Sequence, residues 1–274
     1  MTITRIDLYE YFGVSKKEDC AGYLTCYIHK DYDFAKDRIR PAMLVIPGGG
    51  YAHVSEREKD CIAFYYLNNG YNTFTIDYSV SPIGFPHQLI EASMAMAYIR
   101  ENAEELGVNK EQIAAVGFSA GGHLCGMLAT MTKEKEVKEV LKEKVENLAP
   151  NAVILAYPVI SALIPTHAGS FAVQCKGDKE LEKRLSIETR VTENTPPACI
   201  WGTVNDGVVP SGNAFEVALA YKKQGVPFEL HMFENGGHGL SVATKETLYV
   251  NESVQPWLDL SLTWLKGRGF DIKD

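Results

Sequence analysis

Ser119 stands in Gly117-Phe118-Ser119-Ala120-Gly121-Gly122-His123, directly after the apolar run Gln112-Ile113-Ala114-Ala115-Val116. The pattern is G-x-S-x-G where a predicted strand gives way to a predicted helix. In that setting it describes a nucleophile elbow, a tight turn that exposes a serine hydroxyl above a sheet. The glycines have a mechanical reason to be there: side chains would collide with the neighbouring strand and helix, and the serine's own backbone is strained. The bland alternative is a glycine-rich turn with an incidental serine, so residues elsewhere in the chain must decide.

A serine hydroxyl is a poor nucleophile at neutral pH. It needs a base, and the base needs a carboxylate to hold its tautomer and to stabilise the imidazolium that forms. Behind an elbow the expected chain order is Ser, then Asp or Glu, then His, each just past a strand end. Asp206 lies in Trp201-Gly202-Thr203-Val204-Asn205-Asp206-Gly207, after the apolar run 198–201, and His238 lies in Gly236-Gly237-His238-Gly239-Leu240, after the run 228–233. Taken alone, Asp206 reads as a turn residue. Ordered behind Ser119, both become catalytic candidates. Their rivals are weaker: His231 sits inside a predicted strand, and Asp178 follows no strand.

Attack on a carbonyl also creates an alkoxide that needs preorganised N–H donors. Pro47-Gly48-Gly49-Gly50-Tyr51 follows the apolar run 41–46. The amides of Gly49 and Gly50, with that of Ala120, are the expected oxyanion donors. A nucleotide-binding loop fits poorly, because His53 occupies the place of a third fingerprint glycine and no Gly-Lys-Ser/Thr follows. His123, one turn into the elbow helix, is expected to pack or hydrogen-bond beneath the site. His53, His87 and His167 are read as structural or surface residues, with the pocket border as the alternative. No H-E-x-x-H or similar cluster occurs, so neither metal nor cofactor is expected.

These side chains need a scaffold. Segments 3–12 and 22–29 carry β-branched and aromatic residues and predict an antiparallel edge. Strands are then predicted at 41–46, 71–77, 112–118, 152–157, 198–202 and 228–233. Helices are predicted at 55–69, 87–106, 120–132, 213–224 and 252–266. Strands alternating with helices at this spacing imply an α/β fold with a mostly parallel, doubly wound sheet. The charge run 133–146 has Val137, Val140, Leu141 and Val145 at helical spacing and reads as an amphipathic helix on the core. Segment 161–195 lacks strand signals and is expected to form a small cap on one domain spanning 1–274.

Bulk properties remove several function classes. The chain has 274 residues, 46% hydrophobic and 23% charged, with a net charge of -8 and no basic stripe, which argues against nucleic-acid binding. Residues 148–174 are uncharged but are interrupted by Pro150, Pro158, Pro165 and Gly169, so no membrane span is expected. The N-terminus mixes charged and apolar residues and presents no signal-peptide core. The six cysteines lack metal spacing, so reduced thiols and a cytoplasmic location are expected. A homodimer stays open.

With these pieces placed, the chain resembles the α/β-hydrolase serine esterases of the acetylxylan-esterase-like and feruloyl-esterase-like (BD-FAE-like) group, relatives of the hormone-sensitive-lipase esterases. The likeness rests on Pro47-Gly-Gly-Gly-Tyr51, Asn102-Ala-Glu-Glu-Leu-Gly107, the elbow, Asn194-Thr-Pro-Pro197, and Val226-Pro-Phe-Glu-Leu-His231 leading to Gly236-Gly-His-Gly-Leu240. It implies Ser119 as nucleophile, His238 as base and Asp206 as its orienter. The implied activity is removal of short acyl groups, acetyl foremost, from an acetylated carbohydrate through an acyl-enzyme. Two positions depart from the pattern: Pro47 replaces the histidine of H-G-G-G, and Gly202 stands where histidine is frequent. An amidase, arylformamidase or peptidase with the same three residues is the nearest alternative. A non-catalytic binding protein of the same fold is more remote.

Overall fold

In the computed structural model, which describes residues 1–33, 38–145 and 147–273, every strand joins one eight-stranded sheet. The strands are β1 (Thr2–Asp7), β2 (Tyr23–Ile28), β3 (Arg40–Ile46), β4 (Asn72–Asp77), β5 (Val108–Phe118), β6 (Ala152–Ala156), β7 (Ala198–Thr203) and β8 (Phe228–Phe233). Their spatial order is β1-β2-β4-β3-β5-β6-β7-β8. β2 runs antiparallel to β1 and β4, and the remaining neighbours are parallel. This is the doubly wound sheet with an antiparallel N-terminal edge that the sequence predicts.

β3, β6 and β7 are buried along their whole length, and β5 from Gln112 onward, as parallel strands covered on both faces must be. Side chains alternate between two cores, because successive Cβ atoms point to opposite faces. Leu44, Ile46, Ala115, Leu155 and Ile200 enter one core with Leu89 of α3 (His87–Glu101), Leu124 of α4 (Ala120–Thr130), Val137 of α5 (Lys135–Leu141) and Val217 of α8 (Gly212–Gln224). Met43, Val45, Val116, Ile154 and Trp201 enter the other with Ile62 of α2 (Asp60–Asn68) and Trp257 and Leu262 of α9 (Trp257–Lys266). The catalytic candidates are therefore held at strand ends between two packed layers.

Several boundaries differ from expectation for identifiable reasons. Residues 3–12 are not one strand. Asp7 accepts the amides of Tyr9 and Glu10, and Gly13 closes the turn at φ 63°, so Leu8–Phe12 winds as a short helix, α1. The helix expected at 55–69 is broken: a 3-10 turn at Glu56–Glu58 ends at Lys59, with φ -112° and ψ -95°, before α2 begins. α3 stops at Glu101, five residues early, and the chain unwinds to Gly107 at φ 61° before β5. α9 starts at Trp257 rather than 252, with Pro256 at its N-cap, where a missing amide costs nothing. The run at 133–146 forms α5 and then a 3-10 turn at Lys142–Val145, while Glu146 lies outside the described residues.

Segment 161–195 folds as α6 (Ala168–Cys175), α7 (Lys179–Arg184) and a 3-10 turn at Ile187–Thr189. It is fastened to the body by the Leu185 carbonyl, which faces His123 Nε2 at 2.8 Å, and by Arg184, which pairs with Glu134 at 2.7 Å and Glu136 at 2.9 Å. All six cysteines are free. Among the described residues, no helix is long and apolar enough to cross a membrane.

Candidate active site

β5 runs straight into the elbow. Ser119 has φ 53° and ψ -119°, a conformation that costs a non-glycine residue about 1–3 kcal/mol and persists only when its surroundings enforce it. They do. The Ser119 amide donates to Ala156 O at 3.0 Å, and its carbonyl accepts from His123 N at 3.1 Å and Val159 N at 3.0 Å. The close approach of α4 requires glycine: a Cβ on Gly121 would lie 2.2 Å from the carbonyl oxygens of both Ile46 and Pro47.

The three residues separated along the chain meet. His238 Nε2 lies 2.8 Å from Ser119 Oγ, and His238 Nδ1 lies 2.7 Å from Asp206 Oδ2. The other Asp206 oxygen accepts the amides of Val208 at 2.8 Å and Val209 at 3.0 Å. Asp206 is buried, yet its carboxylate is fully engaged, which offsets the desolvation that burial imposes. The loops after β7 and β8 that carry Asp206 and His238 are laced together. Thr203 Oγ1 donates to Gly236 O at 2.7 Å, and Gly236 N donates to Asn205 Oδ1 at 2.7 Å.

Two peptide planes of the glycine loop are also fixed. The Gly48 carbonyl accepts from Ser55 N at 3.0 Å and from Tyr78 Oη at 3.2 Å, and the Gly49 carbonyl accepts from Ala52 N at 3.0 Å and His53 N at 3.2 Å. In a trans peptide the N–H points opposite the carbonyl. The amides of Gly49 and Gly50 thus face away from these bonds, and neither donates to an acceptor among the described residues. Gly49 and Gly50 line a cavity of about 600 Å³ together with Ser119 and His238. Ala120 is the first residue of α4, where an amide has no partner within its own helix.

The remaining histidines divide. His123 is buried beneath the loop, with Nδ1 2.8 Å from the Tyr51 hydroxyl and Nε2 facing Leu185 O. Burial lowers its pKa to about 4, so it is a neutral hydrogen-bonding strut. His53 and His167, read from sequence as structural or surface residues, both line the cavity, whereas His87 does not. His167 Nδ1 accepts the Ser170 amide at 3.3 Å, and burial, then the neighbouring His238, lower its pKa. His231 lies within β8 beside Glu229, at 3.1 Å, and Asp178 caps α7 by accepting Leu181 N at 3.0 Å.

Sequence reasoning overlooked Glu58 and Tyr157. Glu58 sits in the charge run Glu56-Arg57-Glu58-Lys59-Asp60, which looks solvated. The broken turn before α2 instead drives it inward, where it is only 3% exposed. Its Oε2 accepts Gly48 N at 2.8 Å, and its Oε1 accepts the Tyr157 hydroxyl at 2.6 Å. Burial, then the Glu58 charge, push the Tyr157 phenol well above the ordinary tyrosine range, so it remains a donor. Among the described residues no group of three or more His, Cys, Asp or Glu side chains could hold a metal ion.

The sequence profile of the BD-FAE family matches residues 32–219. The chain belongs to this family. Among curated proteins it is 37% identical over 231 residues to endo-1,4-beta-xylanase B of Butyrivibrio fibrisolvens, a match covering 81% of this chain and 35% of that protein. It is 27% identical over 217 residues to an acetylxylan esterase of Xylanibacter ruminicola, covering 74% of this chain and 42% of that protein. The chain thus matches less than half the length of these relatives. Among solved structures, the acetyl ester-xyloside bifunctional hydrolase of Caldicellulosiruptor lactoaceticus superposes with a TM-score of 0.78 at 33% identity, over 91% of this chain and 89% of that one. The fold of this BD-FAE member is that of the α/β hydrolases.

Proposed function

We propose that this chain is a serine carboxylester hydrolase that removes short acyl groups, acetyl foremost, from acetylated carbohydrate such as xylo-oligosaccharides. The reading is carried by one observation: the imidazole of His238 bridges Ser119 Oγ and Asp206 Oδ2 at 2.8 and 2.7 Å. A nucleophile, a base and an orienting carboxylate at hydrogen-bond reach, in a cavity, make up the constellation for acyl transfer.

In this mechanism His238 takes the Ser119 proton as Oγ attacks the ester carbonyl. Asp206 holds the Nδ1–H tautomer and stabilises the imidazolium. The amides of Gly49, Gly50 and Ala120 hold the oxyanion. His238 then passes the proton to the departing sugar oxygen, releasing the alcohol and leaving an acyl-enzyme that a water, activated by the same imidazole, hydrolyses to the carboxylic acid and free Ser119. Support for a polar alcohol comes from His53, Ser55, Arg57 and His167, which supply hydrogen-bonding groups at the cavity wall beside the apolar Ala52, Val173 and Val208. The names of the xylan-acting relatives support the sugar.

The test is a panel of acetylated xylo-oligosaccharides, butyryl and feruloyl esters, aryl formamides and dipeptide amides. Acetate release from the oligosaccharides at the highest kcat/KM is expected. Preferential cleavage of the formamides or amides would overturn the reading.

A further inference from the structure

The structure points to an anchor that ties the two halves of the site together. Its ends are Gly48, one residue before the proposed oxyanion amides, and Ser241, three residues beyond His238. Glu58 accepts the Gly48 amide, and the Tyr157 hydroxyl donates to the other oxygen of Glu58. The same hydroxyl accepts the Ser241 amide at 3.1 Å. The Tyr157 ring also meets the His238 imidazole edge to face, with centroids 5.0 Å apart and planes at 71°. Tyr157 is itself pinned, at φ 34°, by donating its amide to Trp201 O at 2.6 Å.

A buried carboxylate is a costly choice for a purely architectural contact, because any loss of its donors leaves a charge without compensation. Here its two donors come from the glycine loop and, through one hydroxyl, from the histidine loop. We infer, on the serine-hydrolase reading above, that Glu58 is a positioning residue, acting through Gly48 on the oxyanion amides and through Tyr157 on the seat of His238. It touches no reacting atom in this role. Its effect is to hold donors and base in register with Ser119 before substrate arrives.

Glu58→Gln keeps the shape but breaks the relay. Its amide nitrogen would face a Tyr157 hydroxyl that already accepts from Ser241, and would leave that hydroxyl's proton without an acceptor. Tyr157→Phe keeps the ring on His238 and removes only the hydroxyl. Both variants and the wild type are titrated to completion with an aryl phosphonate, which counts reactive serines. They are then assayed on p-nitrophenyl acetate per reactive serine, alongside thermal melts.

Misplacement of catalytic groups by a fraction of an ångström predicts a fall in kcat of about 10- to 100-fold in each variant, with KM within about threefold of wild type. The double variant should lose less than the product of the single losses, because both sever one chain. A lower melting temperature with kcat per reactive serine within about twofold of wild type would mark a merely structural contact and overturn the assignment. Should Glu58→Gln not fold, Tyr157→Phe decides by the same criterion. A wild type that the phosphonate leaves unlabelled would remove the serine-hydrolase reading and this one together, whereas a labelled wild type with unaffected variants overturns this one alone.

Discussion

Asp206 divides its two carboxylate oxygens between different tasks: Oδ2 faces His238 Nδ1 at 2.7 Å, while Oδ1 accepts the backbone amides of Val208 and Val209. The amides fix where the carboxylate sits, and the carboxylate then fixes which imidazole nitrogen carries the proton.

Asp206→Asn separates these tasks. The asparagine oxygen can keep the two backbone amides, which turns its NH2 toward Nδ1. His238 must then carry its proton on Nε2 and cannot accept the one on Ser119. A fall in kcat of about 10⁴-fold with KM little changed is expected from steady-state kinetics on an acetyl ester. A loss under tenfold would remove Asp206 from this role.

Ser119→Ala removes the proposed nucleophile but not the turn that holds it. The chemical rate should drop by roughly 10⁵- to 10⁶-fold, with an unchanged circular dichroism spectrum. Retention of more than a hundredth of the activity would mean that another group attacks.

Gly121→Ala sets two effects against each other. Alanine gains over glycine at most the roughly 1 kcal/mol it gains in a helix interior, since Gly121 is only the second residue of α4. Its Cβ, however, would press to within 2.2 Å of two carbonyl oxygens that belong to β3 and the loop after it. Backbone cannot yield as a side-chain tip can, so the clash wins, with a net loss of about 2–3 kcal/mol expected in urea unfolding. Because the displaced loop is the one that carries Gly49 and Gly50, kcat should fall as well.

His123 makes stability depend on pH. Its folded pKa of about 4 lies below the unfolded value of about 6.5, so the unfolded chain takes up the proton first. Stability from this group is complete above the unfolded value and is lost as pH falls through the window toward 4. The loss reaches about 2 kcal/mol by pH 5. Melts between pH 7 and 5 should fall more steeply in the wild type than in His123→Gln, despite the variant's lower starting stability, because the burial-lowered His29, His87 and His167 add a slope common to both.

The parts of the site that sequence made visible are those with both a local signal and a fixed chain order. Ser119 announces itself through its glycines, and Asp206 and His238 follow at strand ends. The fold was equally legible, because continuous apolar runs such as 41–46 and 152–156 have no other stable home than a covered parallel sheet. Helix α1 was missed because Asp7 and Gly13 override a β-like composition over five residues. Glu58 was hidden for a different reason. Its neighbours Glu56, Arg57, Lys59 and Asp60 are charged too, and only the backbone break at Lys59 turns this one inward. His53 and His167 reach the cavity border, the alternative that sequence leaves open, because loops and the start of α6 carry them there, and that placement leaves no periodic trace.

The hydroxyl and the imidazole hang from unequal supports. Ser119 leaves β5, which is bonded on both sides, whereas His238 follows β8, which is bonded to β7 alone. Border strands open more readily than central ones. Gentle warming should therefore extinguish turnover before the sheet as a whole gives way, with the rate collapsing at a lower temperature than the ellipticity. Amide exchange in residues 228–233 should run ahead of that in 113–118. Heat would disarm this molecule from its margin inward.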